Sequence, residues 1–101
     1  MDKNTVSREG NRAKIELTSD LVASVVQDLR PQFKSLSDKG ITELTIDLSQ
    51  VSAIDSMGIG LLIAVYNSML SRNGQVFLTN ASVEIKELLR EMRIDKRLTV
   101  A

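Results

Sequence analysis

The chain has 101 residues, 13 basic and 13 acidic side chains, and no cysteine or histidine. The absence of these two residue types removes the usual zinc ligands, the thiolate and imidazole nucleophiles and the commonest general base at neutral pH. The balanced charge argues against a nucleic-acid-binding protein, which needs a basic face. We therefore expect one domain over residues 1–101 that is not an enzyme and needs no cofactor or metal.

The sequence favours a cytoplasmic location. Residues 1–10 are polar and carry no apolar signal-peptide core. The longest apolar run, residues 59–66, is far too short to span a bilayer. Without cysteine there is no disulfide framework of the kind that marks secreted domains. We expect a protein that does not insert into membranes.

The first elements alternate in polarity. Residues 1–10 are either flexible or add a short edge strand. Ala13, Ile15 and Leu17 alternate with polar residues, a period of two that predicts a half-buried strand. Glycine and asparagine at residues 9–11 suit the turn of a hairpin that joins the two segments.

A helical period begins at Leu21. An interior proline costs a helix about 3 kcal/mol, so Pro31 predicts either a kink or a late start. Gly40 is a reasonable C-terminal stop. The apolar stripe comprises Leu21, Val22, Val25, Val26, Leu29, Phe33 and Leu36.

The second half repeats the strand-helix alternation. Leu44, Ile46 and Leu48 predict another strand, and residues 49–55 a short connection anchored by Val51 and Ile54. Residues 75–79 predict a third strand, and residues 98–100 a last edge strand.

Two helices occupy the remaining segments. The helix that opens at residues 55–56 is apolar almost all round, which predicts deep burial, and residues 73–74 end it. Ser82 is a suitable N-cap for a last helix, whose stripe comprises Ile85, Leu88, Leu89 and Met92. This element order predicts an α/β fold: a mixed, mostly parallel sheet of four to five strands with three main helices.

The helix start at Asp55 and Ser56 carries the most chemical information. A helix N-terminus exposes unpaired N–H groups and the positive end of the helix dipole, so it tolerates an added phosphate. Gly58 and Gly60 match the first two glycines of a dinucleotide-binding fingerprint, but Ile63 occupies the position of the third, so the fingerprint is incomplete. A serine hydrolase is also excluded, since no histidine can activate Ser56.

The run IDLSQVSAIDSMGIGLLIAVYN resembles the signature of the STAS family, typified by anti-sigma factor antagonists. The resemblance implies a single STAS-type domain with a phosphoacceptor serine at Ser56. It implies that the unphosphorylated protein binds a serine-kinase anti-sigma factor, that phosphorylation dissociates it, and that a PP2C-type phosphatase resets the cycle. The implied partner-binding residues are Asp20, Asp55, Ser56, Met57, Gly58 and Ile59.

The sequence departs from the family pattern at three positions. Met57 replaces a small Ser or Thr, and Ser19 and Val22 stand where a Gly and an Asp are frequent. The departures at Ser19 and Val22 put kinase contacts from residues 18–22 in doubt.

Several interpretations stay open at this point. Ser56 is a helix cap, a phosphoacceptor, or both, and Asp55 is a capping residue or a magnesium or kinase contact. Gly58 and Gly60 are explained by packing and turn geometry more readily than by ligand contact. The runner-up function is a constitutive accessory subunit of a membrane lipid transporter or of a signalling scaffold. The protein is expected to be a monomer or a weak dimer.

Overall fold

A computed structural model describes residues 5–94, 99 and 100. One five-stranded sheet has the order β1-β2-β3-β4-β5, in which β1 is antiparallel to β2 and the later pairs are parallel. The predicted α/β fold with a mixed, mostly parallel sheet is therefore confirmed. The strands are β1 Thr5–Glu9, β2 Arg12–Glu16, β3 Glu43–Asp47, β4 Gln75–Thr79 and β5 Thr99–Val100, and the helices are α1 Ala23–Asp38, α2 Ser56–Leu70 and α3 Val83–Glu91.

The N-terminal hairpin forms where the sequence predicted it. The strands β1 and β2 pair from Thr5↔Glu16 to Glu9↔Arg12, so residues 10 and 11 make the turn. Gly10 adopts a φ of 61°, a left-handed conformation that costs glycine little. The predicted edge strand over the first ten residues is thus real for Thr5–Glu9, and residues 1–4 lie outside the described part.

The three helices lie on one face of the sheet. Each parallel connection moves to the next strand in the same direction, and such crossovers are right-handed, so each returns over the same face. That face of β2, β3 and β4 carries the buried side chains Ala13, Ile15, Leu44, Ile46, Val76 and Leu78. Because each helix follows the carboxyl end of a strand, all three helix N-termini point to the carboxyl edge of the sheet.

The first helix begins later than its stripe predicted and passes through Pro31 without ending. Leu21 is held outside the helix by a parallel bridge to Ile54, so α1 starts at Ala23. A start after Pro31 is wrong, because the helix is continuous to Asp38. The ring of Pro31 is exposed, and the helix buries Val26, Leu29, Phe33 and Leu36 beneath it.

The other two helices differ from expectation in their exposed surfaces. One face of α2 is open to solvent, where Gly60 and Ala64 lie, so its apolar composition does not mean burial on all sides. Met92 was predicted in the buried stripe of α3, but it follows the last helical residue and is 53% exposed. The last predicted strand is present as Thr99–Val100, and Leu98 lies outside the described residues.

Candidate functional site

Two loops at the carboxyl edge of the sheet are joined to form the site. The first loop follows β2 and the second follows β3. Leu21 in the first loop donates its N–H to the carbonyl of Ala53 (3.0 Å), and its own carbonyl accepts the N–H of Asp55 (3.2 Å). This short parallel pairing extends the sheet by one bridge, Leu21↔Ile54. The start of α2 is thereby fixed against the residues that precede α1.

Asp20 binds the second loop from the first. Its Oδ1 accepts hydrogen bonds from the N–H of Ser52 (2.8 Å), the hydroxyl of Ser52 (3.0 Å) and the N–H of Ala53 (3.1 Å). The backbone N–H of Ser52 is the main cause that lowers the pKa of Asp20 below its ordinary value, and the Ser52 hydroxyl adds to it. Asp20 therefore positions the loop that leads to Ser56.

Asp55, in the second loop, accepts hydrogen bonds from the first turns of two helices. As the N-cap of α2, it accepts the N–H of Gly58 on Oδ1 (3.0 Å). Its Oδ2 accepts the N–H of Ala23, the first residue of α1 (3.0 Å). The Gly58 N–H is the main cause of the lowered pKa of Asp55, and the Ala23 N–H contributes further. The carboxylate is thus held by the first turns of both helices.

Gly58 is required by close packing between α2 and the first loop. A Cβ at Gly58 would overlap the carbonyl oxygen of Leu21 and would lie 2.8 Å from Cγ2 of Ile54. Gly60 is different, because nothing lies within 4 Å of the position its Cβ would take. The packing explanation is therefore confirmed for Gly58 and wrong for Gly60.

Ser56 and Met57 are the exposed residues of this helix start. Ser56 is the first residue of α2, so the helix cap is Asp55 and the capping role considered for Ser56 is wrong. The Ser56 hydroxyl makes no hydrogen bond within the described part of the chain. Met57 is 45% exposed. The site thus presents a hydroxyl and a flexible apolar side chain at the positive end of a helix.

Asp47 fixes the end of β3 from which the second loop departs. It is only 7% exposed, and it accepts hydrogen bonds from the N–H of Ser49 (2.8 Å) and the side chain of Asn80 (3.3 Å). Burial alone raises the pKa of Asp47, but these hydrogen bonds and the nearby charge of Lys14 outweigh it, so the pKa lies below its ordinary value. The sequence signal was available, because Asp47 lies in the quoted run, but we predicted no role for it.

The family is decided by a match along almost the whole chain. Residues 4–100 match the family model described as "Mlab, STAS domain". The chain belongs to the STAS family. The resemblance that the run around Ser56 indicated is therefore confirmed.

Solved structures of this STAS fold include anti-sigma factor antagonists. A candidate anti-sigma factor antagonist of Thermotoga maritima matches with a TM-score of 0.90 and 16% identity, covering 96% of this chain and 84% of that one. An anti-sigma factor antagonist of Mycobacterium paratuberculosis matches with a TM-score of 0.84 and 16% identity, covering 97% of this chain and 83% of that one. The Bacillus cell fate determinant SpoIIAA, in its phosphorylated form, matches with a TM-score of 0.77 and 18% identity, covering 98% of this chain and 91% of that one. At these identities the likeness establishes the fold.

The STAS fold brings five of the six predicted site residues to one helix start. Asp55, Ser56 and Met57 lie at its surface, whereas Gly58 and Ile59 are buried beneath it. Asp20, the sixth, is linked to the same helix through residues 52 and 53. Their roles as phosphorylation and partner-binding residues remain predictions, and this geometry leaves direct contact to the exposed members.

Among the described residues, no group of three acidic, histidine or cysteine side chains could hold a metal ion. No helix in the same part of the chain is long and apolar enough to cross a membrane. One groove of about 290 Å³ lies between α1 and α2 and is lined mainly by apolar side chains such as Phe33, Leu61 and Val65.

The hydrogen-bonded carboxylates of Asp20, Asp47 and Asp55, whose pKa values are lowered, predict that the domain loses stability in acid. A group whose folded-state pKa is depressed stabilises the domain above its unfolded pKa of about 3.9, and this contribution disappears as the pH falls through the folded-state pKa. We expect the free energy of unfolding to fall below pH 4, and Asp20→Asn to make that fall shallower. Urea unfolding at pH 7, 4 and 3 measures it. Asp28→Asn is the matched control, since the Asp28 side chain is exposed on α1 and makes no hydrogen bond to another residue within residues 5–94. An equal effect of this substitution would contradict the assignment.

Proposed function

We propose that this protein is a phosphorylation-controlled anti-sigma factor antagonist. Unmodified, it binds a serine-kinase anti-sigma factor through the start of α2, and phosphorylation of Ser56 releases that partner. The observation that carries the proposal is the Ser56 hydroxyl, exposed at the first position of α2 and without a hydrogen bond in the described part of the chain. A hydroxyl in this state can enter the active site of a kinase without breaking a bond in its own fold.

The modification is a transfer of the γ-phosphoryl group from ATP. The Ser56 oxygen forms the new P–O bond, the bond to the β-phosphate oxygen breaks, ADP leaves, and the hydroxyl proton passes to a base of the kinase. The product carries about −1.5 to −2 charges at pH 7. The N–H groups and dipole of α2 accommodate this charge, so the domain stays folded.

Release follows from what the phosphate does to the surface around it. The other exposed residues within four positions of Ser56 in the chain are small or apolar: Ser52, Ala53, Met57 and Gly60. Such a surface lets a partner approach closely, and a bulky dianion there must be desolvated or excluded. A PP2C-type phosphatase restores the free hydroxyl and with it the capacity to bind.

The coarser role rests on the family. Membership of the STAS family, whose fold is shared by anti-sigma factor antagonists, supports a regulatory domain with protein partners rather than an enzyme. A partner that controls a sigma factor works beside RNA polymerase, so the proposed function places the protein in the cytoplasm.

The deciding experiment joins capture to phosphorylation. The tagged protein is captured from its own cells, the bound proteins are identified, and a kinase among them is purified and incubated with the protein and Mg-ATP. We expect mass spectrometry to find phosphate on Ser56. Ser35→Ala, which removes another exposed serine near the opposite end of α1, should leave the incorporation unchanged, whereas Ser56→Ala should abolish it.

The same purified partner allows a prediction about affinity. We expect Ser56→Asp to weaken binding at least about tenfold, a loss of about 1.4 kcal/mol, because it places a charge in the proposed interface. Titration calorimetry measures the change, with Ser35→Asp, at the opposite end of α1, as the control. Binding of Ser56→Asp as tight as that of the wild type would contradict the switch.

A constitutive accessory subunit of a membrane lipid transporter or a signalling scaffold is the second candidate. Two separate observations favour it: Met57 stands in place of a small hydroxylated residue, and the family model that the chain matches is described by the name Mlab. Capture of transporter or scaffold proteins whose binding is insensitive to ATP and to Ser56→Ala would select this function.

A further inference from the structure

The first turn of α1 depends on a residue that lies 32 positions later in the chain. The N-cap of α1 is Val22, whose side chain cannot accept a hydrogen bond, and the first turn holds no acidic residue. The acceptor for the Ala23 N–H is Oδ2 of Asp55, at 3.0 Å. Asp55 immediately precedes Ser56 and also caps α2 through Gly58. One carboxylate therefore holds two helix starts beside the proposed phosphorylation site.

We propose that Asp55 relays phosphorylation of Ser56 to the first turn of α1. The inference rests on the proposed function, because it assumes that Ser56 receives the phosphate. A phosphate next to Asp55 repels its carboxylate and competes for the N–H groups of the first turn of α2. The carboxylate then turns away, and the Ala23 N–H loses its acceptor. Asp55 is therefore a positioning residue: its carboxylate fixes the backbone at the start of α1.

The release is local because other bonds hold the first loop. Leu21 keeps its two backbone hydrogen bonds to Ala53 and Asp55, and Asp20 keeps its bonds to Ser52. Only the start of α1 is freed, where Ala23 and Ser24 are exposed. The surface that distinguishes the two states thus extends from α2 to the first turn of α1, and a partner that contacts both turns detects the phosphate at two places.

The test uses the absence of cysteine from the chain. In Ser56→Cys the new thiol is unique, so it can be converted through dehydroalanine to phosphocysteine, which carries the phosphate without any kinase. Amide exchange measured by NMR on the isolated protein then reports Ala23 directly. We expect the exchange of the Ala23 N–H to rise at least fivefold on phosphorylation, and that of Ile85, which is capped by Ser82, to stay constant.

A matched control places the same group at the start of another helix. Val83 is 68% exposed and is the first residue of α3, directly after the cap Ser82, as Ser56 follows Asp55. Phosphocysteine made from Val83→Cys should leave the exchange rate of the Ala23 N–H unchanged. An equal response from both positions would mean that general charge, and not Asp55, moves the first turn of α1, and it would overturn the proposal.

Asp55→Asn separates the relay from the phosphate itself. The amide oxygen can still accept the Gly58 N–H, but the amide NH₂ cannot accept the Ala23 N–H. We expect Ala23 to exchange rapidly in this variant already, and phosphocysteine at position 56 to add nothing. An unchanged Ala23 N–H in phosphorylated protein overturns the relay, while the separate affinity measurement on Ser56→Asp still decides the switch.

Discussion

Gly58→Ala should destabilise the domain by about 3 kcal/mol, the upper part of the range for overpacking in a well-packed interior. The added methyl group would overlap the carbonyl oxygen of Leu21, which is backbone held by hydrogen bonds and cannot rotate away as a side chain could. Relief requires α2 to move off the first loop, which would strain the Leu21↔Ile54 bridge and the bond from Ala23 to Asp55.

Gly60→Ala is the control that makes this prediction specific. Both substitutions add one methyl group to the same helix, but the Cβ at Gly60 meets no atom within 4 Å. Alanine is favoured over glycine inside a helix by about 1 kcal/mol, so Gly60→Ala should stabilise the domain slightly. Urea unfolding followed by circular dichroism measures both. Equal effects of the two substitutions would show that the close approach to Leu21 does not limit the packing of α2.

The fold was predictable because its elements follow short-range patterns. The alternation of Ala13 with Ile15 and of Leu44 with Ile46 marked two strands, and glycine at position 10 marked the hairpin turn. The start of α1 was not predictable in this way. Leu21 continues the helical stripe, but the backbone bridge to Ile54 overrides the local pattern, and a contact between residues 33 positions apart leaves no trace in periodicity.

The residues of the site were predictable from the sequence, but the hydrogen bonds between them were not. The run around Ser56 indicated the helix start and its family, and Asp55 was considered as a cap from its residue type. Asp55 also accepts a hydrogen bond from Ala23, and Asp20 accepts one from Ser52. Both hydrogen bonds depend on how two loops that are distant in sequence meet. A carboxylate has acceptor capacity for several donors, but the sequence does not say which donors arrive. The difference between Gly58 and Gly60 likewise depends on what each one faces.

Met57→Ala should weaken binding to the purified partner about tenfold, a loss of about 1.4 kcal/mol that is typical of an anchor residue in an interface. Met57 is the large apolar side chain next to Ser56, and it leaves 45% of its surface to solvent. A methionine adapts to an irregular pocket, so the partner can bury it without matching a rigid shape. The substitution leaves the caps at Asp55 in place, and folding should be unaffected.

Met92→Ala provides a control of the same residue type, since Met92 is similarly exposed, at 53%, but follows the end of α3. If exposure of an apolar side chain were enough for binding, both substitutions would weaken it equally, and the start of α2 would have no special part. A loss confined to Met57→Ala places the partner over the start of α2, within reach of the Ser56 hydroxyl. That result would also support the proposed exclusion between binding and phosphorylation, because a partner that buries Met57 must desolvate any phosphate on Ser56.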